Sequence, residues 1–375
     1  MQTIKSNKKL LLSAMCAIAV SSVQAMPVVL DSSLNDLLIV AETYSSQGAQ
    51  AVIHGNIQSG TYTSVGAGIT GMPTLEIAVV HGNINSGTYT SLGDSSIVDG
   101  SIFAQTYVTT GAFAEVGGNM VNGVGDVESG DVTTLGANST VAGNVVAGGA
   151  FSLGAGATVG GSTSSNTATA PSAALNLQSN IQSQQAALKA MGGPPLVTGI
   201  FGASTSFSAG VYDVADILSF AADTDITLNG DGSDQSWVFN VGNYMSLGAN
   251  VNVVLNNVGD NSSIIWNILG DSTDGLGLGY ATLGAGVDFT GVILANTHIS
   301  VGAEVAEVSG VGADVWGMGG SCGGLYSATS YVTVGATSII GGEGCGVSTA
   351  VVPIPAAAWL FGSALIGLAG IKRKK

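Results

Sequence analysis

A short glycine-rich motif near the C-terminus is the first candidate for chemistry. The segment Gly319-Gly320-Ser321-Cys322-Gly323 matches the nucleophile elbow, a sharp turn that exposes a serine for nucleophilic attack. That chemistry requires a histidine later in the chain, and the last histidine is His298. The sequence therefore favours a glycine-rich loop here and predicts that the protein is not an enzyme.

Two histidines and two aspartates are candidates for metal binding. His54 and His81 occupy the same position of an internal repeat, and the third ligand that a zinc site requires is missing. Asp231 and Asp234 offer hard oxygens to calcium, but their spacing fits no full calcium loop. We expect structural packing for the histidines, an Asx turn for the aspartates, and no metal or cofactor.

The most frequent pattern is Tyr-x-[Ser/Thr]-x-Gly. Intact copies start at Tyr44, Tyr62, Tyr89, Tyr107, Tyr244, Tyr280 and Tyr331, and degenerate copies start at Val132, Ala150 and His298. Several neighbouring copies are 18 residues apart, such as those at 44 and 62 or at 280 and 298. In strand conformation, 18 residues extend about 60 Å, enough for a coil with a short strand on each of three sides. Glycine clusters supply the corners, so the sequence predicts a mainly β, three-sided β-solenoid with rungs of about 18 residues.

Strand alternation assigns the side chains of these copies to two faces. In the C-terminal half we expect Leu247, Leu283, Val301 and Val334, and the residues two positions before each, to point inward. The residues between them then form an outward ligand face: Tyr244, Ser246, Tyr280, Thr282, His298, Ser300, Tyr331 and Thr333. In the N-terminal half the corresponding inward position holds Thr63, Thr90 and Thr133. Because threonine is not apolar, the assignment of inward and outward sides is less secure in that half.

One segment has a helical pattern instead. Residues from about 169 to 191 begin with Thr169 as a candidate N-cap and Pro171 in the first turn, and Gly192 follows as a terminator. The apolar residues of this segment form one stripe: Ala174, Leu177, Ile181, Leu188 and Met191. We expect one long helix packed alongside the solenoid.

Both ends of the chain have the composition of targeting segments. Residues 1–25 combine a basic start, an apolar run and a small-residue cleavage site, as in a secretory signal. Residues 355–371 are apolar and precede a basic end, as in a membrane segment with a positive-inside stop. We therefore expect one solenoid domain over residues 26–346, followed by a tail over residues 347–375.

The tail resembles the PEP-CTERM type of sorting signal in its VPxPA variant. The resemblance rests on Val352-Pro353-Ile354-Pro355-Ala356 and the apolar stretch after it, with Ile354 in place of the central glutamate. It implies a Gram-negative exporter, an exosortase-like processing protease, and delivery to the cell surface or extracellular matrix. The tail then anchors the protein to the membrane, either transiently or permanently. The alternative to a sorting signal is a simple C-terminal membrane anchor.

Cysteine use is consistent with export. Cys16 leaves with the signal, and Cys322 and Cys345 remain as an even pair. In an oxidising compartment such a pair predicts a disulfide, with two free thiols or a metal pair as weaker alternatives.

The charge distribution excludes one class of partner. Lys189 is the only basic residue between positions 26 and 371, and this interval contains all 24 acidic residues. Phosphate binding needs lysine and arginine, so we expect no nucleic-acid partner.

The order of motifs from about residue 165 to 345 resembles a known family. The helix is followed by SAGVYDV, then by ITLNGDGSDQSWVFNVG at 226–242, SIIWNILGD at 263–271 and ATLGAGVDFTGVILANTHISVGAEV at 281–305. This order is similar to the bacterial and fungal ice-binding-like family. The resemblance implies a right-handed, irregular β-solenoid with a flanking helix and a flat ice-binding face. The stretch before the helix is longer here, and its TYTS repeats differ from the usual start of the family.

Two functions are consistent with these observations. The first is a secreted surface protein that adsorbs to ice through the outward Tyr/Ser/Thr face. The alternative is a structural or adhesive matrix protein that binds extracellular polysaccharide in a biofilm, since aromatic rings stack on sugar faces.

Overall fold

The structure is a computed structural model, and it describes residues 30, 34, 37–68, 77–117, 125–166, 177–196, 199–271, 278–302, 314–316 and 323–341. The expected signal at 1–25, the tail at 347–375, Cys322, Cys345 and most of the 319–323 motif lie outside these residues. In the described ranges, no helix is both long and apolar enough to cross a membrane.

The first part of the chain forms short strands, which we call the N-terminal half of the coil. They are β1 (Leu37–Ala41), β2 (Tyr44–Gln47), β3 (Val52–Ile53), β4 (Asn56–Ser59), β5 (Tyr62–Val65), β6 (Val79–Val80), β7 (Ile84–Ser86), β8 (Tyr89–Leu92), β9 (Ile97–Val98), β10 (Ile102–Ala104), β11 (Tyr107–Thr110), β12 (Glu115–Val116), β13 (Val127–Ser129), β14 (Val132–Leu135), β15 (Thr140–Val141), β16 (Val145–Ala147), β17 (Phe151–Leu153), β18 (Thr158–Val159) and β19 (Thr163–Ser164).

A helix, α1 (Gln178–Ala190), separates these strands from the C-terminal half of the coil. That half contains β20 (Ile200–Phe201), β21 (Thr205–Ser208), β22 (Gly210–Val214), β23 (Leu218–Phe220), β24 (Asp225–Asn229), β25 (Ser236–Val241), β26 (Met245–Leu247), β27 (Asn252–Asn256), β28 (Ser263–Ile268), β29 (Ala281–Leu283), β30 (Asp288–Thr290), β31 (Val292–Ala295), β32 (Ile299–Val301), β33 (Asp314–Trp316), β34 (Gly324–Ser327), β35 (Val332–Val334) and β36 (Ile339–Ile340).

The strands pair in parallel and form three 12-stranded sheets, one on each side of a three-sided coil. Sheet 1 has the order β19-β16-β13-β10-β7-β4-β1-β34-β31-β28-β25-β22. Sheet 2 has the order β17-β14-β11-β8-β5-β2-β35-β32-β29-β26-β23-β20, and sheet 3 has the order β18-β15-β12-β9-β6-β3-β36-β33-β30-β27-β24-β21. The predicted three-sided β-solenoid is therefore confirmed.

The chain enters this coil in its middle. β1, β2 and β3 pair on one side with β4, β5 and β6, and on the other side with β34, β35 and β36. The N-terminal half then coils toward one end, and the C-terminal half coils from the opposite end back to the middle. The first and last rungs that the structure describes are therefore neighbours, and we call the boundary between them the seam.

Rung length is less uniform than the sequence predicts. Paired positions are 18 residues apart at Tyr44 and Tyr62 but 27 apart at Trp237 and Ile264. Most strands keep their register across these differences, so the extra residues are accommodated at the corners. The corners after sheet 2 are tight: a Cβ on Gly66 would lie 2.4 Å from the carbonyl carbon of Gly48 on the neighbouring rung. Only glycine allows the rungs to approach this closely.

The helix covers the outer side of sheet 1 over the C-terminal half of the coil. Leu177, Ile181 and Leu188 are buried there in one cluster with side chains of β25, β28 and β31. The predicted Gly192 terminator has φ +62°, as a left-handed helix end requires.

Two details of the helix differ from the prediction. The helix begins at Gln178, and the residue before it, Leu177, makes no side-chain capping bond. The expected cap, Thr169, lies within residues 167–176, which are outside the described ranges. Met191 was expected on the apolar stripe, but its side chain is 46% exposed and Gln185 is buried instead. The reason is that Gln185 faces two strand carbonyls, and its Nε2 donates to O of Ile268 at 2.9 Å and to O of Leu294 at 3.2 Å.

The interior of the coil differs between its halves. The C-terminal half is filled by large rings, among which Phe239 and Trp266 stack with centroids 4.4 Å apart. The N-terminal half also contains buried hydroxyls: Oγ of Ser59 lies 2.8 Å from Oγ1 of Thr63, and Oγ of Ser129 lies 2.8 Å from Oγ1 of Thr133. The inward threonines therefore do face the core, because each finds a hydroxyl partner on the adjacent side of its own rung.

Candidate functional site

One continuous aromatic column runs along eight of the twelve strands of sheet 2. Each of its rings belongs to the first residue of a strand or to the residue just before it. The rings stack face to face with centroids 4.8–4.9 Å apart, in the order Tyr107, Tyr89, Tyr62, Tyr44, Tyr331, His298, Tyr280 and Tyr244. This spacing equals the distance between neighbouring strands, so each of these eight strands supplies one ring. The column crosses the seam without a gap.

A second column of hydroxyl side chains runs beside the rings. In register along sheet 2 it comprises Ser152, Thr134, Thr109, Ser91, Ser64, Ser46, Thr333, Ser300, Thr282, Ser246 and Ser219. Neighbouring hydroxyls approach each other at some rungs, and Oγ1 of Thr333 donates to Oγ of Ser300 at 3.2 Å. We call the two columns together the sheet 2 face.

The structure brings all eight residues of the expected ligand face together on the sheet 2 face. Each is partly exposed, whereas the flanking inward residues, such as Met245 and Leu247, are buried. The tyrosines and hydroxyl residues of the N-terminal half belong to the same face, although the ligand face predicted from the sequence comprised only residues of the C-terminal half. The shared Tyr-x-[Ser/Thr]-x-Gly motif was the signal that identifies them.

The sheet 2 face is uncharged at neutral pH. No carboxylate, lysine or arginine belongs to either column. Burial raises the pKa of Tyr44, Tyr89 and Tyr280, and neighbouring tyrosines in the column raise it further. Burial lowers the pKa of His298, which therefore stays neutral between its two tyrosine neighbours.

The outer sides of the other two sheets are less uniform. On sheet 1, α1 covers the C-terminal half, and Glu128 lies on the N-terminal half. On sheet 3, outward carboxylates interrupt the surface at Glu115, Asp225 and Asp288. Sheet 2 therefore has the longest uncovered and uncharged outer side.

Ring stacking limits what the aromatic column can bind. Each inner ring uses both of its faces against its neighbours and presents its edge and hydroxyl or ring nitrogen to solvent. Contact with a sugar requires a free ring face, and within the column only the terminal Tyr107 and Tyr244 lack an aromatic neighbour on one side. The inner tyrosines of the column therefore have no free ring face on which a sugar can stack.

The candidate metal ligands are in ordinary structural roles. The rings of His54 and His81 stack at 4.7 Å, and Nδ1 of His81 lies 2.5 Å from Oδ2 of Asp99. Oδ1 of Asp231 accepts hydrogen bonds from N and Oγ of Ser233, which is the expected Asx turn. Across the ranges that the structure describes, no three histidine, cysteine or acidic side chains form a group suited to a metal ion.

Comparison with known proteins gives one family match. Residues 162–340 match the family described as ice-binding-like, and residues 37–161, which form nearly all of the N-terminal half, lie outside that match. No curated protein sequence matches the chain.

Several solved structures are similar to the chain at low sequence identity. The ice-binding protein 1 DUF3494 domain of Shewanella frigidimarina is 14% identical with a TM-score of 0.47, covering 84% of this chain and 98% of its own. An ice-binding protein of the Antarctic ascomycete Antarctomyces psychrotrophicus is 15% identical with a TM-score of 0.40, over 83% and 97%. A glycosylated ice-binding protein from an Arctic yeast is 14% identical with a TM-score of 0.42, over 86% and 95%. The family match at residues 162–340 coincides with the C-terminal half of the coil and its flanking helix.

Proposed function

We propose that this protein adsorbs to ice through the sheet 2 face. The observation that supports this most directly is the unbroken hydroxyl column from Ser152 to Ser219, which repeats at the strand spacing of about 4.8 Å. Hydroxyls at a constant spacing hold water molecules at regular positions, and a growing ice surface incorporates water that is already ordered in this way.

The rigidity of the face supports the same proposal. Each inner ring of the column is held between two others, and each inner strand of sheet 2 between two paired strands, so few side-chain rotamers are lost on adsorption. Preorganisation of this kind lowers the entropic cost of binding. Charged groups hold their own hydration shells and would disrupt the array, and the two columns contain none.

The N-terminal half contributes to the proposed ice contact because it continues both columns. Along the eleven strands that carry the hydroxyl column, the face is about 50 Å long. Adsorption through many weak contacts becomes effectively irreversible when enough of them form together, so a longer face strengthens binding. No cofactor takes part.

Thermal hysteresis and inhibition of ice recrystallisation test this proposal. Residues 26–346 are compared with the variants Thr282→Tyr and Ser300→Tyr, which place a bulky ring in the middle of the hydroxyl column. Thr227→Tyr is the matched control, because Thr227 points outward from sheet 3 in the same half of the coil. We expect both activities in the parent and the control, and their loss in the two face variants. Inactivity of a correctly folded parent, shown by circular dichroism, contradicts ice binding.

We also propose that the protein acts outside the cell. The support is in the sequence: the secretory pattern at 1–25, the VPxPA-type tail at 347–375 with its apolar segment 355–371, and the cysteine pair Cys322 and Cys345. Intact-mass measurement of the protein from a Gram-negative host tests these points together. We expect a mature chain that begins near Met26, lacks the tail after exosortase-like processing, and contains one disulfide. A full-length reduced chain contradicts all three.

A further inference from the structure

A groove of about 360 Å³ lies on the outer side of sheet 1 in the N-terminal half, beyond the part of the sheet that α1 covers. Its floor consists of Gln58 on β4, Asn85 on β7 and Phe103 on β10, which are in register across three neighbouring strands. Asn56, Asn83 and Ser101 form one wall. A volume near 360 Å³ is within the range of small-molecule sites.

Two polar atoms of the floor lack partners. Gln58 is only 4% exposed, and its Nε2 donates no hydrogen bond. On the next strand, Oδ1 of Asn85 is buried and accepts none. By contrast, the side-chain amides of the wall are hydrogen-bonded. Oδ1 of Asn56 accepts from N of Asn83 at 2.7 Å, and Oδ1 of Asn83 accepts from N of Ser101 at 2.8 Å.

Buried polar groups without partners are destabilising, and their retention at a groove points to a ligand that supplies the missing partners. Nε2 of Gln58 is thus a donor without an acceptor, and Oδ1 of Asn85 on the paired strand is an acceptor without a donor. A hydroxyl group satisfies both, because it donates one hydrogen and accepts others. The terminal amide torsions of Asn and Gln have broad minima, so both amides are able to turn toward a ligand within their rotamers.

The remaining floor residue, Phe103, adds an apolar surface. Its ring is partly exposed, and it lies two strands from Gln58, a distance on the order of 10 Å. A sugar chain combines hydroxyl groups with apolar ring faces, so one residue can bond to the amides while the next packs on Phe103. All residues that line the groove are uncharged.

We propose that this groove binds a neutral oligosaccharide. The net negative charge of the chain repels anionic ligands, and the lining offers no carboxylate to a cation. An apolar ligand would leave both amides unpaired. A peptide cannot bind here as an additional strand, because β4, β7 and β10 are each paired on both sides and leave no free strand edge.

Isothermal titration calorimetry with residues 26–346 tests the proposal, using cellohexaose, laminarihexaose and maltohexaose as neutral probes and an alginate hexamer as the anionic control. We expect at least one neutral probe to bind and the alginate hexamer not to bind. Asn85→Ala and Phe103→Ala are expected to weaken binding by about tenfold or more. Phe113→Ala is the matched control, because Phe113 is 53% exposed at a corner away from the groove, and its binding should equal the parent's.

Gln58→Met separates a ligand site from a packing defect. Methionine has a similar shape without the unpaired donor, so we expect a higher urea midpoint together with lost oligosaccharide binding. Absence of binding to every neutral probe overturns the proposal, as does equal binding of the alginate hexamer or unchanged binding in Asn85→Ala and Phe103→Ala. The groove variants should retain thermal hysteresis, since the sheet 2 face lies on another side of the coil.

Discussion

The rings of Tyr44 and Tyr331 stack with centroids 4.8 Å apart and planes inclined by 11°. Tyr44 belongs to the first rung of the chain and Tyr331 to the last. Their strands pair in register, with Ser45 opposite Val332 and Ser46 opposite Thr333. This contact at the seam joins the part of the chain that matches the ice-binding-like family to the repeats outside that match, and it continues both columns of the sheet 2 face.

The first prediction concerns this ring contact. Tyr44 stacks on two rings, whereas Tyr107 stacks on one among the described residues. A stacked aromatic pair contributes about 0.5–1.5 kcal/mol beyond its area burial. We therefore expect Tyr44→Leu to lower the free energy of unfolding by roughly 1–3 kcal/mol and Tyr107→Leu by about half as much, measured by urea denaturation. A double-mutant cycle on Tyr44 and Tyr331 should give a coupling of about 1 kcal/mol, and zero coupling would contradict a stabilising seam.

The second prediction concerns the buried amide of α1. Gln185 bonds to carbonyls of β28 and β31 and thereby fixes the helix on sheet 1. Gln185→Ala removes both bonds, and we expect a loss of about 1–3 kcal/mol in the free energy of unfolding. Gln182→Ala is the control on the exposed side of the same helix, with an expected change within about 0.5 kcal/mol. Similar effects of the two variants would show that the amide bonds do not hold the helix in place.

The third prediction uses an isolated pair of inward hydroxyls. Ser129 and Thr133 bond to each other, and the strand neighbours of Ser129 are Ala104 and Ala147, which offer no side-chain partner. Thr133→Val alone leaves the serine hydroxyl unpaired and should cost about 1–3 kcal/mol. Adding Ser129→Ala removes the second polar group, so the double variant should be less destabilised than Thr133→Val, again by urea denaturation. A double variant that is the less stable of the two contradicts this explanation.

The fourth prediction is a pH dependence from His298. Burial lowers the pKa of this histidine below its usual value of 6.5, so the unfolded chain binds the proton more readily than the folded one. Stability then rises with pH where the unfolded state binds more protons, which means that it decreases as the pH falls below about 6.5 toward the folded pKa. His298→Tyr keeps a ring in the column and removes this titration. The difference in free energy of unfolding between parent and variant should change over this interval and stay constant above about pH 7.5, and a flat difference would contradict the assignment.

Local pattern in the sequence was sufficient for several features of the molecule. The recurrence of Tyr-x-[Ser/Thr]-x-Gly predicted a three-sided coil, because side-chain alternation and corner glycines are local properties of each rung. The same alternation correctly placed Tyr244, Thr282 and Ser300 outside and Leu283 inside. Gly192 was also recognisable as a helix end, since the left-handed conformation there depends on a single residue.

Tertiary structure decided how those rungs stack and what covers them. Parallel pairing bonds backbone to backbone, so it does not depend on the order in which rungs occur along the chain. Local patterns therefore contain no sign that Tyr44 lies on Tyr331, that the chain enters the coil in its middle, or that both halves share one face. Gln185 and Gln58 are polar residues whose burial depends on the sheet beside them, so their positions became evident only when distant strands and α1 came together.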